Sequence, residues 1–244
     1  MITPTQIQYG PLQCIQIDSG DAPEIAVVLC HGYGAPGHDL AGIGPEWIRL
    51  LKRESPRVRF VFPAAPHTLA ELGMPDGRAW WQLNMARLQL LFETQQFDEL
   101  HTEEPPGMVD SRDLLCETIT AVKSELQGDK TPLVLGGFSQ GAMLTMDVAT
   151  CGDIAPPQAL IQFSGTVVRE NQWRGGLSRL ENTTVYQSHG TADPILPFTS
   201  AQRLHEMFDG AGVENEFHEF NGPHTIDAES IKKTAALIDQ IGGQ

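Results

Sequence analysis

The chain has 244 residues, of which 16 are Lys or Arg and 31 are Asp or Glu, so its formal net charge is −15. A charge of this sign repels nucleic acid and anionic membrane surfaces, and no Lys- or Arg-rich run offers a local exception, so we expect no nucleic-acid partner. The length suits one α/β domain, and since no linker-like stretch divides the chain we expect a single domain over residues 1–244.

Short apolar runs alternate with helical patterns along the chain. The predicted strands are Leu12–Ile17, Ile25–Cys30, Val58–Phe62, Pro132–Leu135, Ala159–Phe163, Thr184–Gln187 and Glu216–Phe220. Helices are predicted through Trp47–Leu51, over Asp110–Leu126, directly after the strand at Pro132, and over Thr199–Phe208 and Ala228–Ile241. This alternation indicates an α/β protein with a mostly parallel central sheet and helices on both faces. Ligands bind to such sheets beyond the carboxyl ends of the strands.

The strand at Pro132 runs into Gly137–Gly141, which reads GFSQG and has the spelling G-x-S-x-G. In this motif a sharp strand-to-helix turn, the nucleophile elbow, holds a serine hydroxyl at the carboxyl edge of a sheet. Its glycines are needed because the chain packs so closely there that a Cβ would clash. The pattern alone has low specificity. The apolar strand before it and the helical pattern after it make Ser139 a candidate nucleophile.

A serine hydroxyl needs a base to take its proton, and the base needs a third group that orients it. At such an elbow the three residues follow in the order Ser, then Asp or Glu, then His. Asp193 lies in a loop after the strand that begins at Thr184, and His224 lies in the loop after the next predicted strand. Both loops belong to the sheet edge at which Ser139 is expected, so the sequence predicts a Ser139–Asp193–His224 triad.

The acid and the base also have plain structural interpretations. Asp193 precedes a proline, as an ordinary turn residue does, and a lone loop histidine such as His224 is commonly solvated. Other candidates fit the order or the location less well. His218 lies in a strand pattern, His189 precedes the acid, and Asp227 follows the base.

The tetrahedral intermediate of acyl transfer carries a negative charge on the former carbonyl oxygen, which backbone N–H groups usually meet. One donor is predicted at Gln140, the residue after the nucleophile, and the other in the glycine-rich loop His31–Gly34, where Tyr33 is our candidate. This loop has neither the GxxxxGK[ST] nor the GxGxxG spelling, so the sequence does not favour nucleotide binding.

The region from Gln82 to Met108 fits the strand–helix alternation least well. Four apolar residues recur there at helical spacing: Met85, Leu88, Leu91 and Phe92. An acidic, proline-containing stretch follows at Glu103–Pro106. One interpretation is a lid-like insert at about residues 82–109 that gates an acyl pocket. The other is a surface helix that packs on the sheet, and the sequence leaves both open.

Six stretches resemble the phospholipase/carboxylesterase family of α/β-hydrolases, which includes acyl-protein thioesterases and small bacterial carboxylesterases. They are His31–Gly34 (HGYG), Pro63–Pro66 (PAAP), Gly77–Trp81 (GRAWW), Gly136–Gly141 (GGFSQG), His189–Pro197 (HGTADPILP) and Gly222–His224 (GPH). The resemblance runs from about residue 25 to the C-terminus, and GGFSQG together with HGTADPILP is much more specific than the elbow alone. It implies an α/β-hydrolase fold, the same triad and the same two main-chain donors.

The resemblance also implies which residues border the acyl pocket. Trp80 and the neighbouring pair Ile195 and Leu196 match pocket positions of the family. Trp81, next to Trp80, is a further candidate for the pocket wall, and plain packing is the alternative for both tryptophans.

We therefore expect a carboxylesterase that cleaves small-molecule esters with short to medium acyl chains through an acyl-serine intermediate, without a cofactor. Acyl-protein thioesterases usually read HGLGD in the first loop, whereas this chain has Tyr33 and Ala35, and GRAWW leans towards bacterial esterases. An acyl-protein thioesterase or lysophospholipase for longer acyl chains is the alternative. A non-catalytic binding protein on the same fold is the third reading.

The sequence also carries expectations about location and assembly. The first residues lack the basic and apolar regions of a secretory signal, and no apolar run approaches the roughly 20 residues that span a bilayer. We expect a cytoplasmic monomer or homodimer with no integral membrane association. The four cysteines form no CxxC pair and no zinc-ligand spacing, so no metal site is predicted.

Overall fold

The structure is a computed structural model that describes residues 3–52, 56–84, 87, 91 and 98–242. The strands in these ranges are β1 (Thr5–Tyr9), β2 (Leu12–Asp18), β3 (Ile25–Cys30), β4 (Val58–Pro63), β5 (His67–Leu69), β6 (Met74–Ala79), β7 (Leu133–Phe138), β8 (Ala159–Phe163), β9 (Thr184–Gly190) and β10 (Asn215–Phe220). The α-helices are α1 (Ile43–Leu50), α2 (Asp98–Thr102), α3 (Met108–Ser124), α4 (Gln140–Cys151), α5 (Glu170–Gly176), α6 (Phe198–Gly210) and α7 (Ala228–Ile241). Short 3₁₀ helices cover Asp39–Gly42, Ala70–Leu72, Gly128–Lys130 and Leu177–Leu180. Within these ranges no helix has both the length and the apolar character that crossing a membrane requires.

Eight strands form one sheet in the order β1-β2-β4-β3-β7-β8-β9-β10, and β5 pairs with β6 in a separate hairpin. The β1–β2 and β2–β4 pairs are antiparallel. From β4 to β10 each pair of neighbours in this sheet is parallel. The predicted mostly parallel α/β sheet is thus confirmed, and the carboxyl ends of β3, β7, β8, β9 and β10 meet at one edge.

Both faces of the sheet are covered by helices, as predicted. Every residue of β3 is buried, and its side chains alternate between two hydrophobic clusters. Val28 shares one cluster with Leu144 of α4, whereas Val27 shares the other with Trp47 of α1 and Ile238 of α7. A strand buried on both faces needs a continuous apolar run, which is the pattern that predicted β3.

Some elements were not predicted. The edge strand β1, the helix α5 and the β5–β6 hairpin have no clear periodic pattern, and Gly77 and Arg78 were expected in a loop. The hairpin packs on the first glycine-rich loop instead of on the sheet. A Cβ on Gly77 would lie only 2.9 Å from the carbonyl oxygen of Gly34. Such a close approach between distant segments leaves no trace in hydrophobic periodicity.

The predicted insert at about residues 82–109 lies only partly within the described ranges. Met85, Leu88 and Phe92 lie outside them, while Leu91 is described and buried. Farther along, His101 of α2 places Nε2 2.9 Å from the hydroxyl of Ser200 in α6. The lid-like role of the insert and the single-domain organisation stay predictions.

An ion cluster, buried at Asp147 and Arg169 and half-exposed at Glu104, joins the chain after α2 to the helix that follows the elbow. Asp147 of α4 is fully buried, and its Oδ1 accepts hydrogen bonds from Arg169 Nη1 at 2.6 Å and from Trp173 Nε1 at 2.8 Å. Arg169 Nη2 lies 2.9 Å from Glu104 Oε2. The Arg169 N–H donates to the carbonyl oxygen of Glu103 at 3.0 Å. This polar stretch is therefore held by charge and hydrogen bonds.

Asp227 caps α7, the last helix. Its Oδ1 accepts a hydrogen bond from the Ser230 N–H at 2.9 Å, and its Oδ2 lies 3.0 Å from His218 Nε2. Burial alone would raise the pKa of Asp227, but the hydrogen bonds from Ser230 and His218 outweigh it and lower the pKa. Replacing Asp227 with Ala removes the cap, so we expect the free energy of unfolding to fall by about 1 kcal/mol at pH 7 in urea denaturation.

Asp227→Asn is the matched control, because it keeps an oxygen acceptor for the helix and should retain most of the capping contribution. Since the folded-state pKa is lowered, the contribution of the charge is present above the unfolded-state pKa of about 3.9 and is lost as the pH falls below it. Equal unfolding free energies of the wild type and the Ala variant at pH 7 would contradict the capping role.

Candidate active site

Ser139 lies at the turn between β7 and α4 with φ 55° and ψ −119°, on the side of backbone space that favours glycine. Its N–H donates to the Phe163 carbonyl at 2.9 Å. A Cβ on Gly137 would lie 2.3 Å from the carbonyl carbon of Gly141, and one on Gly141 would lie 2.2 Å from the Cys30 oxygen. Three backbone segments thus meet at the elbow with no room for a side chain, and this contact maintains the unusual conformation of Ser139.

Asp193 and His224 are in direct contact beyond the carboxyl ends of β9 and β10. Asp193 Oδ2 lies 2.6 Å from His224 Nδ1, and the aspartate side chain is fully buried. Asp193 Oδ1 accepts hydrogen bonds from the N–H groups of Ile195 at 2.7 Å and Leu196 at 2.9 Å. Because Nδ1 faces a carboxylate it carries the proton, which leaves Nε2 of His224 as the nitrogen that can act as a base.

The Asp193 carboxylate is stabilised in its ionised form. Burial on its own would raise the pKa of Asp193. Hydrogen bonds from the imidazoles of His189 and His224 and from the N–H groups of Leu196 and Ile195 outweigh the burial and hold the pKa far below its usual range. The site therefore contains a negative charge beside His224 at neutral pH.

The His224 ring lies beside the elbow. Its centroid is 4.7 Å from that of Phe138, the residue immediately before Ser139. The loop that carries His224 is anchored by Ser164, whose hydroxyl donates to the Thr225 carbonyl at 3.1 Å. Among the residues that the structure describes, no hydrogen bond joins Ser139 to His224. The structure thus brings the three predicted residues to one sheet edge and pairs two of them.

The first glycine-rich loop passes directly beside Ser139. A Cβ on Gly32 would lie 3.2 Å from the Ser139 Cβ. Gly34 fixes the loop to the hairpin by donating its N–H to the Arg78 carbonyl at 2.9 Å. Within the described part of the chain, the N–H groups of Tyr33 and Gln140 donate to no other group. For Gln140 this follows from its place as the first residue of α4, where N–H groups lack a partner inside the helix.

Trp80 and Trp81 lie in the interior, with 0% and 2% of their surface exposed. The side chain of Gln140 accepts a hydrogen bond from the Trp80 N–H and donates one to the Trp81 carbonyl, both at 2.9 Å. Trp80 Nε1 donates to the carbonyl of His31 at 2.8 Å. These bonds join the segment after β6 to the elbow helix and to the first loop, so both tryptophans hold these two parts of the candidate site together from the protein interior.

Ile195 and Leu196 lie in the loop of residues 191–197, here called the acid loop because it carries Asp193. Ile195 is an exposed large apolar residue, with 51% of its surface accessible, while Leu196 packs against the hydrophobic cluster that includes Val28. The assignment of these two residues and of the two tryptophans to an acyl pocket stays a prediction.

Two surface cavities lie away from the predicted triad. One of about 1010 Å³ lies at the edge where β3 and β4 begin and is lined by Arg57 and Arg59 among others. The other, of about 450 Å³, lies behind the first loop and is lined by His38 and Arg78 among others. Among the described residues, no group of three or more His, Cys, Asp or Glu side chains is arranged to hold a metal ion.

Sequence reasoning missed three residues that support this geometry. The Gln140 side chain was considered only as the neighbour of the nucleophile, Ser164 was not singled out, and His189 was set aside because it precedes the acid. His189 Nε2 in fact lies 3.2 Å from Asp193 Oδ2. The signal available in the sequence was the four-residue spacing of His189 and Asp193. In the structure, the turn between them is closed by a hydrogen bond from the Asp193 N–H to the Gly190 carbonyl at 3.2 Å.

A serine at a strand–helix elbow, with an acid and a histidine in the loops after later parallel strands, is the arrangement of an α/β-hydrolase. Residues 12–241 match the model of the Phospholipase/Carboxylesterase family, and the chain belongs to this family. The predicted resemblance is therefore confirmed. Membership places the chain among hydrolases of the esterase and thioesterase type.

Similar proteins of known sequence include thioesterases. Acyl-protein thioesterase 1 from Debaryomyces hansenii is 24% identical over 235 residues, which cover 88% of this chain and 90% of that protein. Acyl-protein thioesterase 1 from Mycosarcoma maydis is 27% identical over 239 residues, which cover 91% and 93% of the two chains.

Solved structures of esterases share the fold. Esterase PE8 superposes with a TM-score of 0.71 at 24% identity, over 98% of this chain and 99% of that chain. The Bacillus cereus carboxylesterase superposes with a TM-score of 0.68 at 15% identity, over 95% of each chain. At these identities the likeness concerns the fold alone.

The lowered pKa of Asp193 has a consequence for acid stability. The unfolded chain takes up a proton near pH 3.9, whereas the folded carboxylate resists it, so Asp193 stabilises the fold above that pH and loses this effect as the pH falls. We expect Asp193→Asn to be less stable than the wild type at pH 7, and the difference to shrink between about pH 5 and pH 2. Urea denaturation at several pH values measures both quantities.

Asp129→Asn, at an exposed aspartate, is the matched control and should follow the wild type at each pH. A constant stability difference between the wild type and Asp193→Asn from pH 7 to pH 2 would contradict the stabilised carboxylate.

Proposed function

We propose that this protein is a carboxylesterase that cleaves esters with short to medium acyl chains through an acyl-serine intermediate. Ser139 is the nucleophile, His224 the base and Asp193 the acid that orients the base. The proposal rests chiefly on one observation. The imidazole of His224 is bound to the buried Asp193 carboxylate at 2.6 Å and packs against Phe138, the residue next to the strained Ser139.

In the first half of the reaction, His224 Nε2 takes the proton of the Ser139 hydroxyl as Oγ bonds to the ester carbonyl carbon. The carbonyl oxygen becomes negatively charged and is met by the N–H groups of Tyr33 and Gln140. The intermediate collapses, the bond to the alcohol oxygen breaks, and His224 returns the proton to the leaving alkoxide. Asp193 remains ionised and stabilises the imidazolium.

In the second half, water attacks the acyl-serine while His224 takes one proton of the water. His224 then returns this proton to Ser139 Oγ as the carboxylic acid leaves. The absence of a Ser139–His224 hydrogen bond is compatible with this relay, because such bonds are often long before substrate is bound. A rotation about the Ser139 Cα–Cβ bond changes the direction of Oγ without moving the backbone.

We assign the acyl pocket to the space between the acid loop and the first loop. Ile195 supplies exposed apolar surface there, and Leu196 continues that surface into the core. Trp80 and Trp81 form the floor rather than the rim, because both are buried. The exposed Ile195 favours uncharged, apolar acyl groups, because their transfer out of water lowers the free energy of the complex.

An acyl-protein thioesterase or a lysophospholipase is the second candidate function. The similar proteins from Debaryomyces hansenii and Mycosarcoma maydis carry the name acyl-protein thioesterase 1. Thioester hydrolysis would use the same residues, since only the leaving group differs. A non-catalytic binding role is less well supported, because all three triad residues are present. The cytoplasmic location and the monomeric or homodimeric state stay predictions from the sequence.

Replacing Ser139 with Ala removes the nucleophile, so we expect hydrolysis of p-nitrophenyl butyrate to fall by at least about 10⁴-fold. Labelling of the wild type by a fluorophosphonate should disappear in the same variant. Ser124→Ala, at an exposed serine in the last turn of α3, is the control and should behave as the wild type. Undiminished turnover or labelling in Ser139→Ala would refute the proposed nucleophile.

A series of p-nitrophenyl esters from acetate to palmitate, compared with an S-palmitoylated peptide, separates the two hydrolase functions. For a carboxylesterase we expect kcat/KM to peak at short or medium chains and the peptide to react slowly. A maximum at palmitate together with rapid peptide cleavage would assign the protein to the thioesterases instead.

A further inference from the structure

His189 is a buried histidine to which the proposed mechanism gives no role. It lies near the carboxyl end of β9, and its side chain is fully buried. Its Nε2 lies 3.1 Å from the Leu196 carbonyl oxygen and 3.2 Å from Asp193 Oδ2. Both neighbours are acceptors, so Nε2 carries a proton whatever the charge of the ring. The Nε2–H group of His189 donates to the Leu196 carbonyl oxygen and also lies close to the Asp193 carboxylate.

The contact completes the surroundings of the Asp193 carboxylate. Oδ1 is held by the N–H groups of Ile195 and Leu196, and Oδ2 is shared between His224 at 2.6 Å and His189 at 3.2 Å. With donors on both oxygens the carboxyl plane cannot turn without losing a hydrogen bond inside the protein. Its orientation decides where His224 Nε2 points.

The other ring nitrogen argues against a merely space-filling role. His189 Nδ1 is buried and has no hydrogen-bond partner in the described part of the chain. The ring lies against Phe198 of α6, with 6.2 Å between centroids. An apolar ring would fill this place without the cost of a buried unpaired nitrogen. The imidazole is therefore explained by what its Nε2 does.

We propose that His189 is a positioning residue of the triad. By spanning the Leu196 carbonyl and the Asp193 carboxylate, it locks the acid loop and directs Oδ2 at His224. It also shares the negative charge that His224 would otherwise meet alone. This inference rests on the proposed esterase function.

The sharing of the Asp193 charge between His189 and His224 predicts the direction in which the pH profile of kcat/KM shifts when His189 is replaced. Without the His189 donor, the Asp193 charge acts more fully on the imidazolium of His224 and stabilises it, so the acid limb of kcat/KM moves to higher pH. The groups facing His189 are Asp193 with its partner His224, the uncharged Phe198 from α6, and Glu219 from β10. Glu219 is the β10 register partner of His189, but it is exposed to solvent and therefore screened.

The experiment compares two variants with opposite donor content. His189→Phe keeps a ring and removes the donor, whereas His189→Gln places an amide N–H near the position of Nε2. The profile of kcat/KM against pH is measured with p-nitrophenyl butyrate for the wild type and both variants, and the positions of their acid limbs are compared. Thermal unfolding of each variant is followed in parallel.

For His189→Phe we expect kcat to fall roughly tenfold with KM within about twofold, and the acid limb to rise by about half a pH unit. His189→Gln should return the limb towards the wild-type position. If His189→Phe does not fold, His189→Asn replaces it, because its shorter amide does not reach Asp193.

An acid limb that stays at the wild-type pH in the donor-free variant overturns the proposal, even if kcat falls. An equal limb shift in His189→Gln and in the donor-free variant also overturns it. Ser139→Ala is assayed beside them. If Ser139→Ala is inactive and the His189 variants still give either of these results, only the role of His189 is refuted. Full activity of Ser139→Ala would refute the proposed esterase function itself.

Discussion

The contact between three stretches of backbone at the elbow is the constraint on which the rest of the site depends. Gly141 at the start of α4 lies against the carbonyl of Cys30 at the end of β3, and Gly137 lies against Gly141 from the other side. This contact draws the N-terminus of the helix into the sheet edge and sets the backbone of Ser139 at a positive φ. The first loop lies tightly against the elbow at Gly32, where a Cβ would come within 3.2 Å of the Ser139 Cβ. Close backbone packing at the elbow and the hydrogen bonds that hold the first loop together bring Ser139 near the predicted N–H donors.

The predicted acid and base, Asp193 and His224, are brought together by a different kind of interaction. The Gly190 turn and the Gly222 loop approach so closely that a Cβ on the first would lie 2.3 Å from the carbonyl oxygen of the second. Across this contact the Asp193 carboxylate gathers hydrogen bonds from two imidazoles and two N–H groups. A buried carboxylate is costly unless every lone pair is satisfied. The same hydrogen bonds that stabilise the charge therefore fix the direction of His224.

Hydrophobic periodicity in the sequence predicted the elements whose formation depends on burial of one or two faces. The bounds of β3, β8 and α7 agree with the prediction because a buried parallel strand is predominantly apolar and a capped helix is amphipathic. The elbow and its partners were predicted from a fixed order of residue types after successive strands. Residues whose role depends on a contact across the fold could not be found in this way. The Gln140 side chain binds Trp80 and Trp81, which are far away in the sequence, and no periodicity indicates it. The β5–β6 hairpin was missed for the same reason, since its partner is a loop.

The buried ion pair of Asp147 and Arg169 has a consequence for how this sequence can diverge. Removing either residue leaves the other charged in the interior, a penalty that typically exceeds the gain from the original pair. Replacing both with apolar residues of similar volume avoids that penalty. The intermediate single substitutions are the unfavourable ones. Asp147 and Arg169 are therefore expected to change together or not at all among descendants of this chain, whereas the half-exposed Glu104 is under no such constraint. Covariation of the two buried positions would report the contact between the start of α5 and the elbow helix.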